Sequence, residues 1–306
     1  MRAGLNLPQY TIDFAGDVAG TLSADAVVRV ARAAEDGGFD SVWLSDHPFA
    51  LGPDGSVSGA LEATTTMAYV AAATSRVTVG SLVLAASMRS NEQLAAAARS
   101  LSLSAPGRIV VGLGTGWYEA EHRAFGASLP RYSDRVASLV RGVIAVRETG
   151  CLVLVGGVSQ NVIEVVAQGA DWWNCAWDVP VEAFHSLSRS LNQASLRIGR
   201  DPTSIGRSIG VTLLVGARAE MHRAVEAVRA RAPFLRSLEL SELEKSIVTG
   251  SADECAERIA AYGADEVVIT PFVRDDLELI SRIAEDVLPL LPGRDSAGST
   301  AAGTGG

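Results

Sequence analysis

Lysine is almost missing from this chain. Lys245 is the only one, so nearly all positive charge is arginine; we attribute this to the codon usage of a GC-rich genome and attach no chemistry to it. Acids outnumber bases, 35 against 26, leaving a net charge of −9 and an isoelectric point near 5.0. That balance argues against nucleic acid as the main partner, and an anionic ligand would need a local patch of arginines or backbone amides. Cysteine is scarce too. Cys151, Cys175 and Cys255 lie far apart with no C-x-x-C pair, which fits a reducing cytosol and excludes a cysteine zinc site. No apolar run approaches the roughly 20 residues of a membrane span, and the opening M-R-A-G-L-N-L-P reads directly as a strand, without a signal-peptide core. The chain is therefore expected to be soluble and cytoplasmic. Also absent are a nucleophile elbow, a Walker loop, H-E-x-x-H and any metal-ligand spacing, so hydrolase and metalloenzyme chemistry lack support and no metal is expected.

What is present is a large apolar fraction, 48% of 306 residues against 20% charged, enough for a sizeable core. Strand and helix patterns alternate along it. Strands are expected at Ala3–Leu7, Asp40–Ser45, Val77–Leu84, Arg108–Leu113, Leu152–Val155, Asp171–Ala176, Ser208–Val215 and Glu266–Thr270. Helices are expected at Ser23–Asp36, Leu61–Thr74, Asn91–Ser104, Tyr132–Arg147, Asn161–Gln168, Val181–Ile198, Glu220–Ala232, Ala252–Tyr262 and Asp276–Leu291. Gly52–Gly59 reads as a polar loop and Phe234–Gly250 as less regular. Eight such repeats close as a (β/α)8 TIM barrel or lie open as a doubly wound sheet; the strand count and length favour the barrel. One domain is expected over residues 1–292, followed by a disordered Gly, Ser, Ala and Thr tail at 293–306.

In a barrel the site lies at the carboxyl ends of the strands. The richest stretch is Arg108–Gly126. Its apolar strand runs into Gly112, Gly114 and Gly116, then Trp117, Glu119, Glu121 and His122. Bare glycines either ease tight packing or admit a flat ring or phosphate to the backbone. The spacing is not G-x-G-x-x-G and the strand is the fourth, which weakens a dinucleotide reading. Gly156-Gly157-Val158-Ser159 before a helix is either a tight turn or an anion seat. His47, beside Asp46 after the second strand, is the leading titratable candidate, as a hydrogen-bond partner or as a proton carrier. His122, His185 and His222 read as surface residues. Trp172, Trp173 and Trp177 read as core by default.

Other pieces carry further information through their order and spacing: Ala34-Glu35 through Trp43, Ser45-Asp46-His47, Thr74-Ser75-Arg76-Val77 with Val79-Gly80, and Ser104 with Gly107-Arg108. Gly112–Trp117 with Glu121 and Phe125-Gly126, Gly156-Gly157, Ala170–Trp173, Gly250-Ser251 with Glu254, Val267–Thr270 and Asp286–Pro289 complete the series. Together they resemble the luciferase-like oxidoreductases, especially the branch that uses coenzyme F420, a deazaflavin. The resemblance implies a barrel, usually homodimeric, with the cofactor ring in its mouth and a small-molecule substrate beside it. The ring would lie against Ser81, Leu82 and Val83, with a cis peptide between Leu82 and Val83. Gly112, Gly114, Thr115, Gly116 and Trp117 would flank it together with Glu121. Gly156, Gly157, Val158 and Ser159 would hold its phosphate, and His47, with Asp46, would assist hydride transfer.

The chain also departs from the family. Trp117 stands where sugar-phosphate dehydrogenases of this kind carry a catalytic glutamate, and Leu51 where they carry a tryptophan. Glu92 replaces a usual proline. A long segment, part of the substrate-side wall in relatives, is absent between Glu148 and Leu152, so a more open pocket or an impaired enzyme is expected. Two other readings stay open: an FMN-dependent monooxygenase of the same fold, and a barrel that binds a ligand without catalysis.

Overall fold

The apolar runs read as strands are strands, and their burial shows why they are so apolar: both faces are covered. The computed structural model describes residues 1–10, 23–51, 57–216, 222–223, 247–274 and 276–294. In chain order the first half contains β1 (Arg2–Asn6), α1 (Ala24–Asp36), β2 (Ser41–Leu44), β3 (Phe49–Leu51), β4 (Val57–Gly59), α2 (Ala63–Ala73), β5 (Thr78–Ser81), β6 (Leu84–Ala85), α3 (Asn91–Ser104), β7 (Ile109–Gly114), α4 (Glu119–Ala124) and α5 (Tyr132–Arg147). The second contains β8 (Leu152–Gly156), α6 (Gln160–Gly169), β9 (Trp172–Trp177), α7 (Val181–Arg197), β10 (Gly206–Val215), β11 (Val248–Gly250), α8 (Ala252–Ala260), β12 (Glu266–Pro271) and α9 (Leu277–Arg282).

Parallel pairing runs β1–β2–β5–β7–β8–β9–β10–β12 and returns from β12 to β1. The sheet is closed. This is the (β/α)8 barrel, not the open alternative. Outward residues such as Leu5, Val42, Val79, Val111, Val155 and Ile269 pack beneath the helices in the main core.

The inward face is filled differently. Trp43, Leu82, Val110, Leu154 and Val268 form a second cluster, with Val83, Trp172 and Trp177 against it. Three of these tryptophans lie on glycines. A Cβ added at Gly80 would stand 2.5 Å from Trp43 Cε3, at Gly206 2.5 Å from Trp172 Cδ2, and at Gly210 2.6 Å from Trp177 Cζ3. Real carbons do not approach so closely, so the indoles fit only because Cβ is missing opposite them.

The amino ends of the strands are tied down by polar clamps, and here several of the resemblance markers find their use. The buried Glu35 carboxylate accepts from the amides of Ser75 (2.9 Å), Arg76 (2.6 Å) and Val77 (3.0 Å). Burial pushes its pKa up, but these amides and the Arg76 charge outweigh it and the net shift is downward. Arg108 donates to the carbonyls of Ala71 (2.7 Å) and Val77 (3.2 Å). At the same end Ser41 Oγ donates to the buried Glu266, and Trp43 Nε1 donates to Ser41 Oγ at 2.8 Å.

Five expectations change. The third strand is not continuous: it breaks at a cis peptide between Leu82 and Val83, and β6 then pairs with β7. Gly52–Gly59 is not wholly loop, because β3 and β4 pair antiparallel, Phe49 opposite Gly59. Val248–Gly250 adds a strand outside the barrel on β10. The last helix changes register at Ile283 into a π turn and a 3-10 turn that ends by Leu290, where Pro289 lacks the amide for an α-helical bond. The short link from Glu148 to Cys151 joins the amino end of β8, where Leu152 pairs with Val110 near the start of β7. It therefore sits opposite the mouth, and the pocket is not opened by it. The expected helix at 220–232, apart from residues 222 and 223, the stretch 234–246 and the tail 295–306 lie outside the described residues. Among the described residues no helix is long and apolar enough to cross a membrane.

The glycine–indole fit gives a direct test. Gly80→Val should lower stability by about 1–3 kcal/mol, the usual result of overpacking a filled interior. A urea melt should show an earlier midpoint with little change in slope; an unchanged midpoint would contradict the close contact.

Candidate active site

At the carboxyl ends of the strands a cavity of about 380 Å³ opens, within the size range of small-molecule sites. Its lining draws on segments far apart in sequence. Asp46 and His47 follow β2, Leu82 and Val83 form the cis step, and Gly114–Trp117 follow β7 with Glu121 behind them; Gly156 and Gly157 end β8. These are expected site residues, now in one hollow. Four others lie differently. Ser81 and Gly112 are buried beneath the floor, where Ser81 Oγ donates to Gly112 O (3.0 Å) and accepts from Gly112 N (2.9 Å). Val158 and Ser159 do not line the cavity: Val158 is 43% exposed, and Ser159 Oγ caps α6 by accepting from Val162 N and bonds the Tyr132 hydroxyl.

The lining also takes Ala85, which sequence reasoning did not select, and Asn174, Ala176 and Trp177, whose place at the end of the sixth expected strand put them at the carboxyl face without a named role. Asn174 and Trp177 end an apolar, tryptophan-rich strand that reads as core. The readable signal was position: they fall at the carboxyl end of β9. Asn174 Nδ2 donates to Ser208 Oγ at 2.9 Å, and Asn6 Nδ2 to Thr270 Oγ1 at 3.2 Å. Among the described residues the buried Asn6 Oδ1 has no hydrogen-bond donor.

His47 is the reactive-looking group. Its Nδ1 lies 2.7 Å from Glu121 Oε1, with the histidine side chain 36% exposed and the glutamate 4%. The hydrogen bond to Glu121 raises the His47 pKa, burial opposes this, and the charges of Glu121 and Asp46 add to the rise. With Nδ1 engaged, Nε2 is the nitrogen free to hold or take a proton. The resemblance put Glu121 beside the cofactor ring, but nothing in the sequence paired it with His47. A six-residue helix is too short for periodicity to show which face it buries.

Asp46 does something else. Its carboxylate takes both arms of Arg89, at 2.5 and 2.7 Å, and the amide of Ala85 at 2.9 Å. Arg89 also reaches Glu62 at 3.3 Å. The carboxylate is therefore committed to fixing β6 and the end of β2, and touches the cavity as a wall.

The glycine loop is held from outside. Gly116 has φ +70°, the left-handed region that favours glycine, and its carbonyl accepts from Arg135. His122 corrects an expectation: it is buried, not on the surface. Its Nδ1 lies 3.0 Å from Tyr118 O and its Nε2 3.0 Å from Ser87 Oγ, pinning the loop to the turn after β6. His185 and His222 are exposed as expected.

Bare backbone at Gly114–Gly116 and Gly156–Gly157, an apolar floor, and the polar side chain of Asn174 suit a flat heteroaromatic ring with a polar edge. A deazaflavin or a flavin fits that description. Among the described residues no group of three His, Cys, Asp or Glu side chains is placed to hold a metal.

Comparison with known proteins agrees. Residues 10–150 match the family model described as luciferase-like monooxygenase. The F420-dependent glucose-6-phosphate dehydrogenase of Kineococcus radiotolerans is 40% identical over 118 residues, 38% of this chain and 34% of that protein. The enzyme of the same name from Amycolatopsis mediterranei is 35% identical over 123 residues, 40% and 36% respectively. The chain thus spans about a third of the length of the curated relatives it matches. Among solved structures, an F420-dependent secondary alcohol dehydrogenase in complex with an F420-acetone adduct aligns with a TM-score of 0.78 at 15% identity, covering 95% of this chain and 98% of that one. EDTA monooxygenase from Chelativorans sp. BNC1 aligns with a TM-score of 0.80 at 15% identity, covering 96% and 94%. At such identities the likeness is one of fold. The family resemblance is borne out by sequence within residues 10–150, and over nearly all of the chain the likeness is one of fold.

The His47–Glu121 pair carries a pH prediction. Because the folded pKa is raised, the pair's stabilisation is complete below the ordinary histidine value of about 6.5 and is lost as pH rises through the raised value. In Glu121→Gln the imidazole titration followed by NMR should move to lower pH; an unmoved titration would contradict the pairing.

Proposed function

We propose that this chain, matched to the luciferase-like monooxygenase family over residues 10–150, is a coenzyme F420-dependent oxidoreductase acting on a small organic molecule. The observation that carries the reading is the single hollow in which His47, braced by Glu121, faces the Leu82–Val83 step and two bare glycine loops. The naming of its relatives in sequence as F420-dependent supports the choice of cofactor.

When bound, the deazaflavin supplies the ring carbon that gives or takes a hydride. The protein's own part is positioning, dryness and a proton. Leu82, Val83 and Trp177 would form the apolar bed, and Gly114, Thr115 and Gly116 would let a flat ring approach the main chain. The amides around Gly157 and the hydroxyls of Ser159 and Tyr132 would receive a phosphate at the start of α6. His47 Nε2 would carry the proton that balances hydride transfer, with Glu121 fixing the imidazole's orientation. Asp46 would hold the wall through Arg89 instead of reacting.

Glucose 6-phosphate dehydrogenation is not part of the proposal, because Trp117 occupies the position of the glutamate that the resemblance implies for it. An FMN-dependent monooxygenase is the second reading, favoured by the fold of EDTA monooxygenase. A homodimer in the cytoplasm, formed by one barrel domain over residues 1–292, completes the reading.

Parallel titrations of the purified protein with F420 and with FMN should show saturable binding of F420 at lower concentration. Preference for FMN would transfer the proposal to the second reading, and binding of neither would end it. His47→Ala should leave F420 binding in place and reduce turnover by about 10²–10⁴-fold, the usual contribution of a positioned proton carrier; undiminished turnover would remove His47 from the chemistry.

A further inference from the structure

Trp117 is a large aromatic side chain at the rim of a ligand cavity, yet it is 67% exposed. Its neighbours form a continuous aromatic shelf. The indole stacks on Tyr118 with centroids 5.1 Å apart and planes at 23°, and Tyr118 leans on Phe49 at 6.4 Å. The His47 ring meets Trp117 edge-on, at 6.0 Å and 76°. The exposure is built in. Gly116 on one side is fixed by Arg135, and Tyr118 on the other by His122. A stacked pair presenting an open face beside a proton carrier is a seat for another flat ring.

Charge points the same way. The cavity is lined by Asp46 and Glu121 and by no arginine or lysine among the described residues. The nearby guanidinium groups are engaged elsewhere: Arg89 with Asp46 and Glu62, Arg135 with Gly116 O, and Arg123 with Glu119 at 2.6 Å. Among the described residues, a phosphorylated or carboxylated substrate would meet acids and no free cation at this cavity.

We infer that the substrate is a molecule whose reacting alcohol or carbonyl is attached to a planar apolar ring, with that ring on Trp117 and the oxygen at His47 Nε2. The inference rests on the oxidoreductase reading above. In the oxidising direction the carbinol C–H bond breaks, its two electrons and hydrogen pass as hydride to oxidised F420, and the O–H proton goes to neutral His47; reduction reverses each transfer. Trp117 is then the residue that selects the substrate.

The test uses the F420-loaded protein with benzyl alcohol and glucose 6-phosphate as probes, and reads binding by saturation-transfer NMR and turnover by deazaflavin absorbance. Benzyl alcohol should bind the wild-type protein at least 10-fold more tightly than glucose 6-phosphate. Trp117→Ala should weaken benzyl alcohol binding and raise its KM by 10-fold or more, with a smaller change in kcat, and Trp117→Phe should restore most of both. Tighter binding of glucose 6-phosphate, no binding of benzyl alcohol to a protein that does bind F420, or an unchanged KM in Trp117→Ala would overturn the inference and leave the cofactor reading standing. Failure of the wild-type protein to bind F420 would overturn both.

Discussion

Everything at the mouth depends on ring closure. The two ends of the barrel sequence meet where β1 pairs with β12, Leu5 opposite Ile269, and β9 is joined to β10. Once the sheet closes, the carboxyl ends of all eight strands point the same way, and segments separated by more than a hundred residues share one hollow. Closure itself depends on steric detail inside. The lumen holds three tryptophans, and each has a glycine facing it where a Cβ would collide.

The closed barrel also sorts its polar groups by end. Inward positions at the amino ends carry Arg2, Ser41 and Glu266, with burial pushing the Glu266 carboxyl up. Other inward positions carry Asn6, Asn174, Ser208 and Thr270, neutral groups that pair Asn6 with Thr270 and Asn174 with Ser208. Among the described residues, charge reaches the mouth from the segments beyond the strands. There Asp46 is matched by Arg89, while Glu121 is matched by a histidine. The difference matters, because an arginine pair is permanent and a histidine pair changes with its proton.

Much of this was legible in the sequence. Short apolar runs bounded by turn residues gave the strands, because a strand covered on both faces must be apolar at consecutive positions. Knowing that barrel sites lie at carboxyl ends placed Asp46, Gly114 and Gly156 together. What was not legible depends on contacts distant in sequence or on elements too short to show a period. Arg89 pairs with Asp46 across 43 positions. Glu121 and His122 lie in a helix of six residues, whose buried face no periodicity reveals. The short link before β8 misled for a different reason: a missing segment says nothing about which end of the barrel it left. Glu35 and Arg108 stood out as family markers, and only the hydrogen bonds showed that they brace the end opposite the site.

The central claim is that one mouth holds a redox ring between the Leu82–Val83 step and the two glycine loops, within reach of His47. A crystal structure of the protein soaked with F420 tests it most directly. The account predicts the deazaflavin ring on Leu82 and Val83, its phosphate near Gly157 and Ser159, and its open face toward His47 and Trp117. A ring bound elsewhere on the molecule, or a mouth that stays closed by its own side chains at saturating F420, would contradict it.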